Sequence, residues 1–223
     1  MLYKVIQTGS SGNCTVLNNT IAIDLGISWK ALKEFQKTIQ LVLLTHIHSD
    51  HFNITTIKKL YKEHPTVKFV CLKHLVEPLS KVVETKAIYV LETNKLYDLG
   101  ICKVAAFPLK HDVPNNGWRI MIGKEKAIYA TDTCNLYGIT AKNYDLYLIE
   151  ANYDLPDVLN KINEKRKNGE YVYEIRAVNN HLSIQQAHDF IDSNMGPNGI
   201  WEPMHKHKEK EHGKVEVNNS SMS

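Results

Sequence analysis

The segment Thr45-His46-Ile47-His48-Ser49-Asp50-His51, directly after the apolar run Leu41-Val42-Leu43-Leu44, constrains this chain more than any other feature. In extended backbone, residues two apart point to the same side, so His46 and His48 present both imidazoles together. A turn into the helix that follows brings Asp50 and His51 round to a second position close by. Four donors packed this tightly at the end of a buried strand are what a compact dinuclear metal site needs. Imidazole with carboxylate suits zinc, or manganese or iron. A surface cluster of histidines is the competing explanation, and the strand that precedes the segment disfavours it.

The rest of the chain alternates short apolar runs with turn signals. YKVIQ, CTVLN and IAID read as strands, SWKALKEFQK as a short helix, and LVLLT as a strand buried on both faces. ITTIKKLYKEH reads as a helix capped by Asn53 and ended at Pro65. KFVCL is a strand, and KHLVEPLSKVV a helix interrupted at Pro78. Residues 86–131 are strand-rich (AIYVL, KLYDLG, CKVAAFPL, GWRIMIG, AIYAT), and DLYLIEANY follows as a buried strand. LPDVLNKINEKRKNG is a helix ended by Gly169, SIQQAHDFIDSN a helix capped by Ser183, and GIWEPMH a last strand. This order predicts an α/β protein with two mixed β-sheets sandwiched between helices, in preference to a doubly wound parallel sheet. One domain over residues 1–208 is expected, with a polar tail at 209–223.

Composition excludes more than it assigns. Four scattered cysteines (Cys14, Cys71, Cys102, Cys134) without C-x-x-C spacing argue against a disulfide framework or a zinc knuckle. No charged start followed by an apolar stretch marks a signal peptide, and no window reaches the length of a spanning helix, so a cytoplasmic protein without membrane contact is expected. A net charge of +3 is too small to announce nucleic-acid binding by itself. His64 and His74 are expected to be solvated.

Further segments, in order, match a known pattern: IAIDLG with Asp24 at the end of an early strand, Lys110-His111-Asp112 after a later strand, and Tyr129-Ala130-Thr131-Asp132-Thr133 closing a hairpin. With H-x-H-x-D-H, these make the chain resemble the metallo-β-lactamase superfamily. The resemblance implies an αββα sandwich holding two divalent metal ions, zinc favoured, with manganese or iron admissible. It implies that His46, His48 and His111 hold one ion, that Asp50, His51 and a late histidine hold the other, that Asp132 bridges, and that Asp24 orients the loop. His205 is preferred to His207 as the late ligand, although Pro203 in its strand departs from the family's pattern.

Within that superfamily, Gly9-Ser10-Ser11-Gly12-Asn13 resembles the opening of the YycJ-like exonuclease branch of bacteria and phages. Glu150-Ala151-Asn152-Tyr153-Asp154 and Asn180-His181-Leu182-Ser183 resemble later segments of that branch, with Tyr153 in place of a histidine and Asn180 in place of a glycine. The Glu and His-Leu-Ser elements also resemble tRNase Z. The resemblance implies a dinuclear phosphodiesterase acting on nucleic acid, with DNA favoured over RNA and exonuclease action expected. Asp50, Glu150 and His181 are its catalytic candidates, the last two as a general-acid pair for a departing alkoxide. A cyclic-nucleotide phosphodiesterase or a lactone or thioester hydrolase is the second expectation. A non-hydrolytic redox module is the third, disfavoured because His48 stands where a carboxylate would be expected. The sequence leaves monomer and homodimer open.

Overall fold

The structure, a computed structural model, describes residues 1–205. His207 and the expected tail at 209–223 lie outside the described residues.

Strands alternate their side chains between two faces, and that alternation builds the layers. In β4 (Leu41–Leu43), Val42 points into one apolar cluster while Leu41 and Leu43 point into another. In β11 (Leu146–Glu150), Leu146 and Leu148 join that second cluster, while Tyr147 and Ile149 point into a third. The shared cluster lies between two six-stranded sheets, and the outer clusters lie under the helices. This is the αββα sandwich of the sequence expectation.

The first sheet runs in chain order through β1 (Tyr3–Gln7), β2 (Cys14–Leu17), β3 (Ile21–Ile23), β4, β5 (Lys68–Cys71) and β6 (Ile88–Val90). Its first two pairings are antiparallel and the remaining ones parallel. The second sheet has the order β12-β11-β10-β9-β8-β7, with β7 at Tyr97–Asp98, β8 at Lys103–Leu109, β9 at Asn115–Ile122, β10 at Glu125–Ala130 and β12 at Ile200–Met204. There β10, β11 and β12 are parallel, and the hairpin pairings through β9 return β8 to the direction of β10. As a result, β8, β10, β11 and β12 all end on one edge of the sandwich. β3 and β4, parallel to each other, bring Asp24 and the histidine segment to the same place.

Helix α1 (Ile54–Glu63) opens where expected: the Asn53 side chain accepts from Thr55 and Thr56 N–H. α5 (Ile184–Asn194) opens with a reciprocal capping box between Ser183 and Gln186. α3 (Leu155–Lys167) starts at the Asp154 cap and is followed by Gly169 at φ +69°.

Three expectations need correction. Residues 29–38 form successive turns, not a helix: Ala31, Lys33, Phe35 and Thr38 N–H each donate to the carbonyl three residues back. The spacing of Trp29, Leu32 and Phe35 that predicted a helix is met equally by three-residue turns, which bury Leu32 and Phe35. Pro78 does not interrupt a helix. It sits in the first turn of the short α2 (Val76–Ser80), where an N–H has no intrahelical partner to lose. An unexpected seven-residue helix, α4 (Glu174–Asn180), stands between α3 and α5.

Pro203, the departure noted in the last strand, is accommodated because β12 is an edge strand paired only with β11. Among the described residues, no helix is long and apolar enough to cross a membrane. All four cysteines are free, and Cys14, Cys71 and Cys102 are buried.

Candidate metal centre

Each strand end on this edge delivers one candidate side chain. β3 leads into Asp24, β4 into His46–His51, β8 into His111, β10 into Asp132 and β12 into His205, while β11 itself ends at Glu150. Asp24 (φ +57°), Asp132 (φ +57°) and His205 (φ +52°) all adopt the left-handed backbone region. Non-glycine residues occupy that region at an energetic cost, which concentrates at functional sites. Here it turns three side chains inward just past their strands.

The side chains converge in overlapping sets: two hold three of the expected ligands each, and Asp132 falls in a third with His46 and His51 and a fourth with Glu150, His181 and His205. His46, His48 and His111 offer nitrogens that lie within 4.8 Å of one another, and so do the donor atoms of Asp50, His51 and His205. Asp132 stands between the sets. Its Oδ2 is 2.8 Å from His51 Nε2, and its Oδ1 is 3.5 Å from His205 Nε2 and 4.0 Å from His111 Nε2. The sequence-predicted residues are therefore all brought together, with Asp132 in the middle.

Outer contacts orient the imidazoles. His51 Nδ1 lies 2.7 Å from Asp24 Oδ2, His46 Nδ1 lies 3.0 Å from Thr45 Oγ1, and His111 Nδ1 lies 3.2 Å from the carbonyl of Asn180. A proton held on Nδ1 by an oxygen leaves the Nε2 lone pair facing the cluster, the arrangement metal-binding histidines normally show. Asp24 is fully buried and also accepts from the Thr45 N–H, the Thr45 hydroxyl and the Tyr129 hydroxyl. Its role is thus to hold the loop.

The donor set fits cations. His46 Nε2 is buried without a hydrogen-bond partner, and Asp132 Oδ2 and His205 Nε2 are buried with only other members of the same cluster beside them. Orphaned polar atoms in a protein interior cost free energy and call for an explanation, and a bound ion supplies one. The electrostatics agree. Burial, reinforced by the charge of His51, pushes His46 well below the usual imidazole range and keeps its lone pair free. Burial would also lower His51, but the charges of Asp132 and Asp24 override it and hold it well above that range. His205, against the same burial, is held up to about 10 by hydrogen bonds to Asp50 and Glu150 and by the charge of Asp132. Burial would raise Asp132, yet His51 above all, then His205 and His46, draw it well below the carboxylate range. Without metal, protons on His51 and His205 balance the carboxylates; with metal, cations take that role.

A measurable consequence follows for pH. Ligation must displace the protons on His51 and His205, so metal affinity should fall as pH falls. Calorimetry of Zn2+ binding near pH 7.5, in buffers of different ionisation enthalpy, should show about two protons released per chain. Zero release would contradict His51 and His205 as ligands. In the metal-free protein the raised histidines stabilise the fold below the ordinary imidazole pKa. That contribution fades as pH climbs through their folded values, about 10 for His205.

Beside the cluster, His181 Nδ1 lies 2.7 Å from Glu150 Oε1. Glu150 is fully buried and also accepts the Thr133 N–H at 3.0 Å, which fixes the carboxylate. His181 is partly exposed and lines a cleft of about 340 Å³ together with His48, Asp50, His111, Asp132 and His205.

Sequence reasoning missed several supporting groups. His74 is not solvated: it is half-buried, and its Nε2 lies 3.1 Å from the Thr45 carbonyl, just before His46. The Asn13 amide nitrogen lies 2.7 Å from His51 Nε2, while its oxygen accepts the Gly9 N–H. The Asn152 amide nitrogen donates to the His205 carbonyl. Gly26 packs so closely that an added Cβ would lie 1.7 Å from the Asp50 carbonyl oxygen, so only glycine fits against the histidine loop. Both asparagines lie inside motifs the sequence displayed, which was the available signal. Gly26 closes the IAIDLG segment and was likewise on display, whereas His74 carried no signal.

Comparison with known proteins places the fold. The profile of a family described as Beta-lactamase superfamily domain matches residues 20–204. No curated protein matches the sequence. Similar solved structures include the metallo-β-lactamase fold protein YhfI from Bacillus subtilis, with TM-score 0.70, 15% identity, and 92% of this chain and 85% of that one covered. Human tRNase Z, short form, aligns with TM-score 0.65 and 16% identity over 92% of both chains. A diphosphatase from the PhnP family aligns with TM-score 0.64 and 13% identity, over 92% of this chain and 85% of that one.

Proposed function

The chain belongs to the β-lactamase superfamily, and from that premise we propose that it is a dinuclear metal-dependent phosphodiesterase that hydrolyses nucleic acid, DNA in preference to RNA, as an exonuclease. The observation that carries this reading is the Glu150–His181 pair beside the two ligand sets. Departure of an alkoxide from a phosphodiester is assisted by a general acid, a role that a histidine oriented by a buried carboxylate can fill. The G-S-S-G-N and H-L-S segments favour the YycJ-like exonuclease branch, and the tRNase Z and diphosphatase neighbours act on phosphate esters or anhydrides by name.

His46, His48 and His111 would hold one divalent cation, and Asp50, His51 and His205 the other, with Asp132 between them. When bound, such cations supply Lewis acidity that activates water near neutral pH and offsets the charge developing on phosphate oxygens. The chain's own residues do the rest. Asp24 and Thr45 keep the His46–His51 loop rigid, so the ligand atoms meet at fixed positions. His181, its Nδ1 proton held by Glu150, presents Nε2 to the cleft and delivers a proton to the departing oxygen. Zinc is the favoured metal, with manganese or iron admissible.

Replacing His181 with Ala should lower kcat on an oligonucleotide by about 10²–10⁴-fold, the usual worth of a general acid, with metal content unchanged. Unaltered turnover in His181→Ala would remove the acid role and with it the main support for this reading. A second reading is favoured by one dimension: the cleft, at about 340 Å³, is the size of a single-ligand pocket, which suits a cyclic-nucleotide phosphodiesterase. Turnover of a cyclic nucleotide faster than of an oligonucleotide would establish it.

A further inference from the structure

We propose that α4 is a nucleotide clamp, with Tyr173 stacking on a base beside the scissile phosphodiester and Arg176 pairing with a neighbouring phosphate. The inference rests on the phosphodiesterase reading and names the substrate contacts of that same cleft. Tyr173, Arg176, Ala177 and Asn180 follow helical spacing, and all line the cleft with the candidate ligands. Apolar packing and an ion pair anchor the segment. Val172, Ala177 and Val178 pack against the cluster formed by Tyr153, Val158 and Ile162, and Glu174 is buried in an ion pair with Lys165 at 2.5 Å.

Tyr173 is 63% exposed, yet its ring is not loose. Lys165 Nζ lies 3.7 Å from the ring centroid and is itself fixed by Glu174. An aromatic ring held in solvent by a cation is a platform with stacking surface to offer, and every base has a face to stack on it. Arg176 is aimed at the same place. Its guanidinium lies 3.4 Å from Asp112 Oδ2, and Asp112 Oδ1 lies 3.2 Å from His111 Nε2 and 3.4 Å from His48 Nε2. The guanidinium is thus one carboxylate away from the first ligand set, and its planar fork matches a phosphate. The Asn180 carbonyl at the end of α4 lies 3.2 Å from His111 Nδ1 and ties the helix itself to the first ligand set. A simple lactone carries neither a base nor a phosphate, so the pair favours a substrate with a nucleotide.

The test uses the full chain loaded with metal and a single-stranded, end-labelled oligothymidylate. Tyr173→Ala and Arg176→Ala should each raise KM by about tenfold or more, with kcat moving less than about threefold. Tyr173→Phe should retain wild-type KM, since the ring and not the hydroxyl stacks. Arg176→Ala should also reduce the slope of log affinity against log salt by about one. Both side chains are exposed, so circular dichroism should show intact variants. Wild-type KM in both alanine variants would overturn the clamp and leave the phosphodiesterase reading standing. A wild-type protein that neither binds nor cleaves the oligonucleotide would overturn both.

Discussion

Asp132→Ala should reduce bound metal from two ions per chain to one or fewer, and should cut phosphodiester cleavage by at least ~10³-fold, or ~4 kcal/mol of transition-state stabilisation. Asp132 carries a carboxylate that lies close to both ligand sets, 2.8 Å from His51 and 3.5 Å from His205 on one side and 4.0 Å from His111 on the other. Its backbone is left-handed at φ +57°, a region where alanine is strained and asparagine is tolerated. Asp132→Asn therefore separates charge from backbone: it should lose metal and activity nearly as fully, while the metal-free fold, which loses the buried pair with His51 in either variant, should melt higher than in Asp132→Ala. Elemental analysis after dialysis against Zn2+, with initial rates on one oligonucleotide, measures both quantities. Two retained ions in the Asn variant would show that Asp132 does not share the metals.

Asp24→Ala should act on stability first. The Asp24 carboxylate is fully buried and takes hydrogen bonds from the Thr45 N–H, the Thr45 and Tyr129 hydroxyls and His51. Removing it strands several buried donors at once and leaves His51 without its partner. Breaking a buried, hydrogen-bonded charge pair in this way costs about 3–5 kcal/mol. In a protein of this size that corresponds to a melting-temperature loss on the order of 10 °C. Metal affinity should fall as well, because His51 Nδ1 is no longer held and Nε2 loses its aim. Thermal unfolding of metal-free and metal-loaded protein checks the claim. A melting temperature within about 2 °C of wild type would mean that the loop holds itself, without Asp24.

How much of this was legible in the sequence depended on spacing. The H-x-H-x-D-H segment announced its ligand atoms because strand periodicity and a following turn leave few other arrangements. His111, Asp132 and Glu150, far apart in the chain, were singled out by the resemblance of their segments to the superfamily's pattern, and strands running in one direction carry all three to one edge. The choice of His205 was harder to read, because proline seemed out of place in its strand; the edge position of β12 makes it admissible. Residues 29–38 were misread because spacing of three fits a helix and a run of turns alike. α4 was invisible: it is seven residues long, and Tyr173 provides no side-chain cap. That short helix places Tyr173 and Arg176 over the cleft and the Asn180 carbonyl against His111, so the part of the cleft that meets substrate was the least readable. The left-handed backbone at Asp24, Asp132 and His205 was equally hidden, since no glycine marks those positions.

The central claim is that this edge of the sandwich is a two-metal phosphodiesterase centre. It is tested most directly by titrating metal-free protein with Zn2+ or Mn2+ while following cleavage of end-labelled single-stranded DNA. The account predicts that activity rises as two equivalents bind and that products appear as stepwise nucleotide release from one end. Saturation with two ions and no cleavage of any phosphodiester would contradict it.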